Sequence, residues 1–387
     1  MFAVTELDAM IYLDYNATTP VDPLVLEAMR PFLEAKFGNP SSGHAAGREA
    51  RRAVEGARAS VAGLIGAKPS EVIFTSGGTE ASNMAIKGTA RRYAGQGKHF
   101  VTTTVEHPAT TEPLRWLERD GFSFTAVGVD AHGMVAPDDV RRAIRPDTIM
   151  ICVMHAQNEV GTLEPIAEIG RIAREAGVLF HVDAAQSVGK VSVNVDEMHA
   201  DFLAIAGHKF YAPKGIGALY VRDGVGAEPL VHGAGQEGGR RGGTENVAMA
   251  VGMGRAAELA AKHLAHDEPG VMRDYFADRL REAIGDRFVV NGHPTRRLPS
   301  TLHVSFPGFV GGDLLGRLEG VCASTGAACH SGSAEPSAVL ASMKMPRERA
   351  VGAIRFSVGR PTTREEIDGV VAMLAEAVEA AAVTRRL

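Results

Sequence analysis

From residue 71 onward, short apolar runs of strand length alternate with stretches spaced like helices, and few architectures accommodate that alternation. Residues 71–76, 100–105, 148–155, 178–183, 202–206 and 217–221 are the strand candidates, and several are β-branched and apolar on both faces. Strands buried on both sides require that pattern. Between them lie helical stretches such as AIKGTARRYAG (85–95) and PIAEIGRIAREAG (165–177), the latter closed by Gly177. Strand and helix in turn imply a doubly wound, mostly parallel α/β sheet. Ahead of it, Asp22-Pro23 reads as an N-cap and first-turn proline. A long alanine-rich helix begins near Asn246 and runs past Ala261. The rest of the chain reads as a mixed α+β unit.

With 387 residues the chain exceeds one small core. Its formal net charge of −5 gives no basic footprint for direct nucleic-acid binding. No apolar run approaches the roughly 20 residues of a membrane span. The opening MFAVTELDAMIYLDYN lacks the basic start and apolar stretch of a secretory signal. Cys152, Cys322 and Cys329 show no CxxC metal spacing, and three thiols cannot all pair within one chain. The expectation is a cytoplasmic protein in a reducing compartment, without a metal site.

In open α/β sheets ligands bind beyond the carboxyl ends of the strands. Gly77-Gly78-Thr79 follows the first run and leads into a helix, where free N–H groups suit a phosphate. Glu106-His107-Pro108 follows the second and Gln157-Asn158-Glu159 the third. Asp183 and Gln186 sit at the fourth exit, and Gly207-His208-Lys209 at the fifth. Each has an ordinary alternative: a tight turn, a helix cap, a satisfied core histidine, a solvated lysine. Together they supply a phosphate cradle, an imidazole, a carboxylate and a lysine at successive strand ends. That set meets the needs of pyridoxal 5'-phosphate, whose aldehyde a lysine holds and whose ring nitrogen a carboxylate keeps protonated.

The stretch CASTGAACHSGSAEPS (322–337) reads as an exposed, adaptable loop. Cys329 within it is a candidate nucleophile toward something bound at the cofactor. Cys322 and Cys152, bordering or within apolar runs, are expected to be structural buried thiols.

YLDYNATTP, FGNPSS, EVIFTSGGTEASN, MHAQNEVGTLEPI, HVDAAQSVGK, GHKFYAPKGIGALYV, RRGGTEN and IRFSVGRPTTREEID, in that order, span nearly the whole chain. The sequence thereby resembles the cysteine desulfurases of the nitrogen-fixation and iron–sulfur-cluster type, in the class V aminotransferase group of fold-type I pyridoxal-phosphate enzymes. The resemblance implies a large domain over residues 17–262 with a seven-stranded sheet. A small α+β domain of residues 1–16 plus 263–387 would carry the cysteine loop. Lys209 is implied as the cofactor lysine, Asp183 as partner of the ring nitrogen, and His107 as the stacking imidazole and proton shuttle. Gln186 and Asn158 would lie near the phenolic oxygen, with Gly78, Thr79 and His208 on the phosphate. Thr244 would reach the phosphate of a partner subunit, implying a homodimer. Arg355 would clamp the substrate carboxylate, with Asn158 and Asn16 beside it. Cys329 would take sulfur from L-cysteine as a persulfide, leaving L-alanine, and pass it to an acceptor protein. Iron–sulfur assembly, tRNA or DNA thiolation and cofactor synthesis are the destinations such sulfur serves.

Three positions depart from the family pattern. Ala206 stands where a hydroxyl residue usually precedes Gly-His-Lys, Gln157 replaces an asparagine, and His330 follows Cys329 where threonine is common. GAACHS and Ala206 are similar to selenocysteine lyases, which makes L-selenocysteine the alternative substrate. An alternative of another class, a degenerate scaffold on the same fold, would show loss of Lys209, Asp183 or Cys329, and all three are present.

Overall fold

The computed structural model describes residues 10–325, 329–330 and 333–384, with side chains for 10–325 and 335–380. The described chain enters through a two-residue strand, β1 (Ile11–Tyr12), and helix α1 (Pro23–Glu34). The Asp22 side chain accepts from the Leu24 N–H, so the expected cap and N1 proline are both in place. Helix α2 (Ala45–Leu64) follows, capped by His44.

Seven strands then build the central sheet: β2 (Val72–Thr75), β3 (His99–Thr103), β4 (Ser123–Val127), β5 (Thr148–Met154), β6 (Leu179–Asp183), β7 (Phe202–Ala206) and β8 (Gly217–Val221). Their spatial order is β2-β8-β7-β6-β5-β3-β4, with β8 antiparallel to both neighbours and the other pairs parallel. Six were expected from sequence; β4 was not. It is the outermost strand beside β3 and only Val127 of its five residues is buried. An edge strand of that kind lacks the continuous apolar run that marks the others.

Helices α3 (Gly78–Tyr93), α4 (Pro108–Glu118), α5 (Pro137–Ala143) and α6 (Ile166–Ala176) make the crossovers. Gly177 ends α6 at φ 67°, the left-handed cap a glycine supplies without strain. Helix α7 (Val247–His263) packs against α1 and α2. Side chains alternate along the strands, so each sheet face has its own core. Val101, Ile151, Val153, Val182, Leu203 and Ile205 face the side of α2, α6 and α7, whereas Phe100, Met150, Phe202 and Leu219 pack with α3 and α4.

Beyond α7 lie helix α8 (Glu268–Ile284) and strands β9 (Val289–Val290) and β10 (Thr301–Ser305). Helix α9 (Gly311–Leu315) precedes β11 (Val321–Cys322), β12 (Ser324–Thr325), β13 (Cys329–His330) and β14 (Ser333–Ala334). Short helices α10 (Ala338–Ser342) and α11 (Arg347–Val351), strand β15 (Ala353–Ser357) and helix α12 (Arg364–Thr384) complete the described chain. Four strands form a second sheet in the order β12-β15-β10-β9, backed by α8 and α12 through Phe276, Leu280, Phe356 and Leu374. Strand β1 pairs with β11, so Leu13 joins this second core.

One ion pair ties the loop ahead of α7 to the first sheet. Arg58 of α2 and Glu237 are bidentate, at 2.5 and 2.9 Å, and both side chains are under 9% exposed. Glu237 also accepts from the Phe74 N–H at 3.1 Å, while the Arg58 guanidinium donates to the Val72 carbonyl. Removing Glu237 leaves the buried Arg58 guanidinium with only the exposed Glu55 carboxylate as a charge partner, 3.2 Å from its Nε. Glu237→Ala is therefore expected to lower stability by about 3 kcal/mol or more in urea unfolding. The double substitution Arg58→Met/Glu237→Leu should cost less than that single one. Equal losses would mean that the pair holds nothing in place.

Candidate active site

The carboxyl ends of β7, β6, β5 and β3 open on the same edge of the sheet as the turn that follows β2. The glycine turn crosses toward β7, and its fit depends on missing side chains. A Cβ on Gly217 would lie 2.6 Å from Gly77 backbone atoms, and one on Gly78 would meet the Ala206 Cβ at 3.2 Å. Glycine at 78 and 217 thus lets the α3 N-terminus settle against the end of β7. Thr79, in the first turn of α3, is exposed. The turn is braced from outside: Glu80 accepts from the Ser76 N–H and pairs with Arg241 at 2.9 Å.

Lys209 follows β7 in a single 3₁₀ turn. Its Nζ donates to the carbonyls of Asn16 (2.6 Å) and Ala17 (2.9 Å). Burial, with the Arg355 cation nearby, lowers its pKa to about 8 against the opposing pull of Asp14 and Asp183. A lysine so tuned is about one-tenth neutral and nucleophilic at pH 7, far more than an ordinary lysine. The neighbouring His208 is pushed down to about 4 by burial and by surrounding lysines. It is neutral at pH 7, and its Nδ1 lies 3.1 Å from the Thr18 hydroxyl.

Asp183 ends β6 and is buried; Oδ1 accepts from the Ala185 N–H at 2.9 Å. Desolvation raises its pKa, while His107 and Lys209 pull it down. His107 caps α4 by accepting from the Ala109 N–H at Nδ1, which leaves Nε2 outside that cap. Burial and Lys209 lower its pKa, and Asp183 opposes them. The preceding Glu106 is fully enclosed, with its pKa raised to about 8 by burial. Glu106 is thereby held neutral near pH 7, and Asp183 is the carboxylate whose charge acts on His107 and Lys209.

The second unit reaches the same place. Arg355 of β15 donates to the Asn158 carbonyl (2.9 Å), to Asp14 (2.7 Å) and to Ser324 (3.1 Å). Its Nε is buried with no partner among the described residues. Asn16 donates through Nδ2 to Thr301 (2.8 Å) and to the Asn158 carbonyl (3.3 Å). Gln186 donates through Nε2 to the Asn16 carbonyl at 2.8 Å. The Gln157 departure is structural: its buried amide oxygen accepts from the N–H groups of Glu159 and Val160, closing the turn that presents Asn158.

Asn16, Asn158, Gln186, Lys209 and Arg355 thus form one hydrogen-bonded group, and charge links Asp183 and His107 to Lys209. Thr244 stands apart, exposed on the loop before α7. The backbone of Cys329–His330 pairs antiparallel with Ser333–Ala334, so the expected loop contains a hairpin; both side chains lie outside the described residues. Cys152 is buried in β5 as expected. Cys322 differs from expectation: it is only half-buried in β11, with Sγ 3.9 Å from the Met10 sulfur. The two-strand pair β1–β11 is too small to enclose it. Sequence reasoning passed over Asp14 and Ser324, which hold Arg355, and Lys190. All three lie within or beside quoted motifs, but only the fold reveals their partners.

A strand-end lysine with a lowered pKa, a buried carboxylate, an imidazole and a glycine-bounded helix N-terminus are the donor set that pyridoxal phosphate requires. The residues fit that group. Among the described residues no cluster of His, Cys, Asp and Glu could hold a metal ion. Nor is any helix long and apolar enough to cross a membrane.

Residues 11–370 match the family described as aminotransferase class-V. The cysteine desulfurase IscS of Dictyoglomus turgidum is 50% identical over 95% of this chain and 94% of its own length. That of Methanosarcina thermophila is 45% identical over 97% and 94%. The solved structure of a NifS-like protein superposes with a TM-score of 0.89 at 36% identity, covering 96% of this chain and 99% of that one. The structure of SspA in complex with cysteine matches with a TM-score of 0.80 at 37% identity, over 90% and 98%.

Proposed function

Because the chain belongs to the aminotransferase class-V family and is a pyridoxal-phosphate-dependent cysteine desulfurase of fold type I, we propose that its residues divide the work among cofactor, substrate and sulfur. The observation that carries this division is the single hydrogen-bonded group joining Lys209, Gln186, Asn16, Asn158 and Arg355 across the two units. Cysteine is the substrate favoured over selenocysteine, since the relatives are cysteine desulfurases and one neighbour was solved with cysteine.

Lys209 would hold the cofactor, with Gly78, Thr79 and His208 at its phosphate, Asp183 at its ring nitrogen and His107 against its ring. Bound there, the cofactor supplies an electron sink that labilises the substrate α-proton and the bond to sulfur. Arg355 binds the substrate carboxylate; its unpartnered Nε and its grip on the Asn158 carbonyl leave the guanidinium oriented for that anion. Once displaced by substrate, the Lys209 amine carries protons at the substrate carbon, with His107 as the second carrier. Cys329 thiolate attacks the substrate sulfur: an S–S bond forms, the C–S bond breaks, and its electron pair stays on carbon, which is protonated to give alanine. The persulfide then passes to an acceptor protein.

The chain is taken to act as a cytoplasmic homodimer, divided into a large domain of residues 17–262 and a small one of 1–16 plus 263–387. Supporting a second copy, Leu26 and Leu33 lie two turns apart on α1 and are 48% and 63% exposed, and Phe37 just beyond is 87% exposed. The partner would complete the phosphate site through Thr244, on the loop that Arg58–Glu237 and Glu80–Arg241 anchor.

The test is alanine formation by the purified holoenzyme from L-cysteine, with a dithiol to strip the persulfide and, separately, with L-selenocysteine. Alanine and sulfide in equal amounts from cysteine is the expected result. Turnover of selenocysteine alone would reassign the substrate, and alanine from neither would leave the scaffold reading standing.

A further inference from the structure

The fold places a second lysine at the base of the site, one with no part in holding cofactor or substrate. Lys190 lies beyond β6 in the second of two tight turns, four residues after Gln186. The turn is held by the Lys190 N–H on the Ser187 carbonyl (3.0 Å) and by Gly189 at φ 77°, where a Cβ would strike Phe210 at 2.7 Å. Lys190 Nζ donates to Gln186 Oε1 at 2.7 Å and to Asn16 Oδ1 at 3.1 Å. Enclosure, together with Lys209 and Arg355, pushes its pKa well below that of an ordinary lysine. In either protonation state the amine keeps at least two N–H donors, and two amide oxygens face it.

Those two oxygens decide what the rest of each amide does. With Oε1 on Lys190, Gln186 can present only Nε2 elsewhere, and Nε2 donates to the Asn16 carbonyl at 2.8 Å. With Oδ1 on Lys190, Asn16 presents Nδ2 to Thr301 at 2.8 Å. The Asn16 carbonyl is then shared between Gln186 Nε2 and Lys209 Nζ, at 2.8 and 2.6 Å. Without Lys190, either amide could turn over and set an acceptor against an acceptor.

We propose that Lys190 is a positioning residue for the desulfurase reaction: by holding the oxygens of Gln186 and Asn16, it fixes Gln186 as a donor and the Asn16 carbonyl as the acceptor that receives the Lys209 amine whenever that amine is free of the cofactor. This role rests on those proposed for Gln186 and Lys209. It is separable from them, because its test starts from an active wild-type enzyme. Lys190 bonds neither Arg355 nor the phosphate cradle and meets the substrate side only through Asn16, so its loss falls mainly on kcat.

The experiment compares wild type, Lys190→Met, Gln186→Leu and the double variant as holoenzymes. Lys190→Met is expected to lower kcat about tenfold, the worth of a buried hydrogen bond or two, with KM for cysteine changed by less than about threefold. The absorbance maximum of the bound cofactor should shift, because the donor beside it is no longer fixed. Melting should move little, since removing a buried amine offsets the cost of the two amide oxygens left without that donor. The double variant should lose less than the product of the two single losses, because only the Asn16 contact of Lys190 remains to be lost once Gln186 is replaced. Lys190→Gln, which retains donors, should recover part of kcat and serves also if Lys190→Met does not fold. Wild-type kcat and absorbance in Lys190→Met would overturn the proposal. So would additive losses in the double variant, or a fall in kcat that only follows a lower melting temperature.

Discussion

Lys209→Ala is expected to yield a protein that borohydride no longer links to pyridoxal phosphate and whose alanine formation from cysteine falls by at least about 10⁴-fold. Two functions are lost together. On the proposed division of work the side chain is the covalent anchor, and once displaced it is the amine that moves protons at the substrate carbon. The surroundings explain why this lysine can do both. Its pKa of about 8 is set by burial and Arg355, opposed by Asp14 and Asp183. The folded-state value lies below that of a free lysine, so the neutral form gains population as pH rises through about 8. Cofactor uptake by cofactor-free wild type should accelerate across that window and level off above it. Borohydride-fixed cofactor with retained turnover in Lys209→Ala would point to another amine, and Lys190, which reaches the same Asn16, is the one to examine first.

The sheet was legible because burial on both faces writes itself into sequence as unbroken apolar runs. Phe202–Ala206 is read at the residues observed, and β5 and β6 within a residue at either end. Ser123–Val127 escaped because a partly solvated edge strand needs no such run. Caps were legible for a local reason: Asp22 and Gly177 act within four residues of their own position. Most of the site was legible as well, since strand ends in an α/β sheet converge on one edge whatever the details. What stayed hidden depends on contacts across long stretches of chain. Asp14 meets Arg355, and Lys190 meets Asn16, more than 170 positions away, through a second unit docking on the first. No spacing rule reaches that far. Cys322 was misjudged for a related reason: an apolar neighbourhood in sequence predicts burial only where a layer arrives to cover it.

Cys329→Ala is expected to abolish sulfur transfer, lowering alanine formation from cysteine by about 10³-fold or more while leaving substrate binding intact. Breaking the C–S bond requires that sulfur leave to something, and a thiolate attacking it keeps an activated sulfur atom on the protein. Binding is proposed to rest elsewhere, on Arg355 and the Asn158 turn that it holds, so the absorbance change on adding cysteine should survive the substitution. The other two thiols make poor substitutes. Cys152 is buried in β5 with its pKa raised well above that of a free thiol, so it is rarely a thiolate. Cys322 sits in β11 on the parallel pair with β1, fixed by backbone hydrogen bonds rather than free to approach a substrate. Iodoacetamide should accordingly inactivate the wild type and find nothing left to inactivate in Cys329→Ala. Selenocysteine sharpens the test: a selenol is more acidic and leaves more easily than a thiol, so its turnover should depend less on Cys329. A variant that retains cysteine turnover and sheds free sulfide would defeat the persulfide assignment. One that loses cysteine turnover yet still processes selenocysteine would show that Cys329 acts on the chalcogen, after the chemistry governed by Lys209.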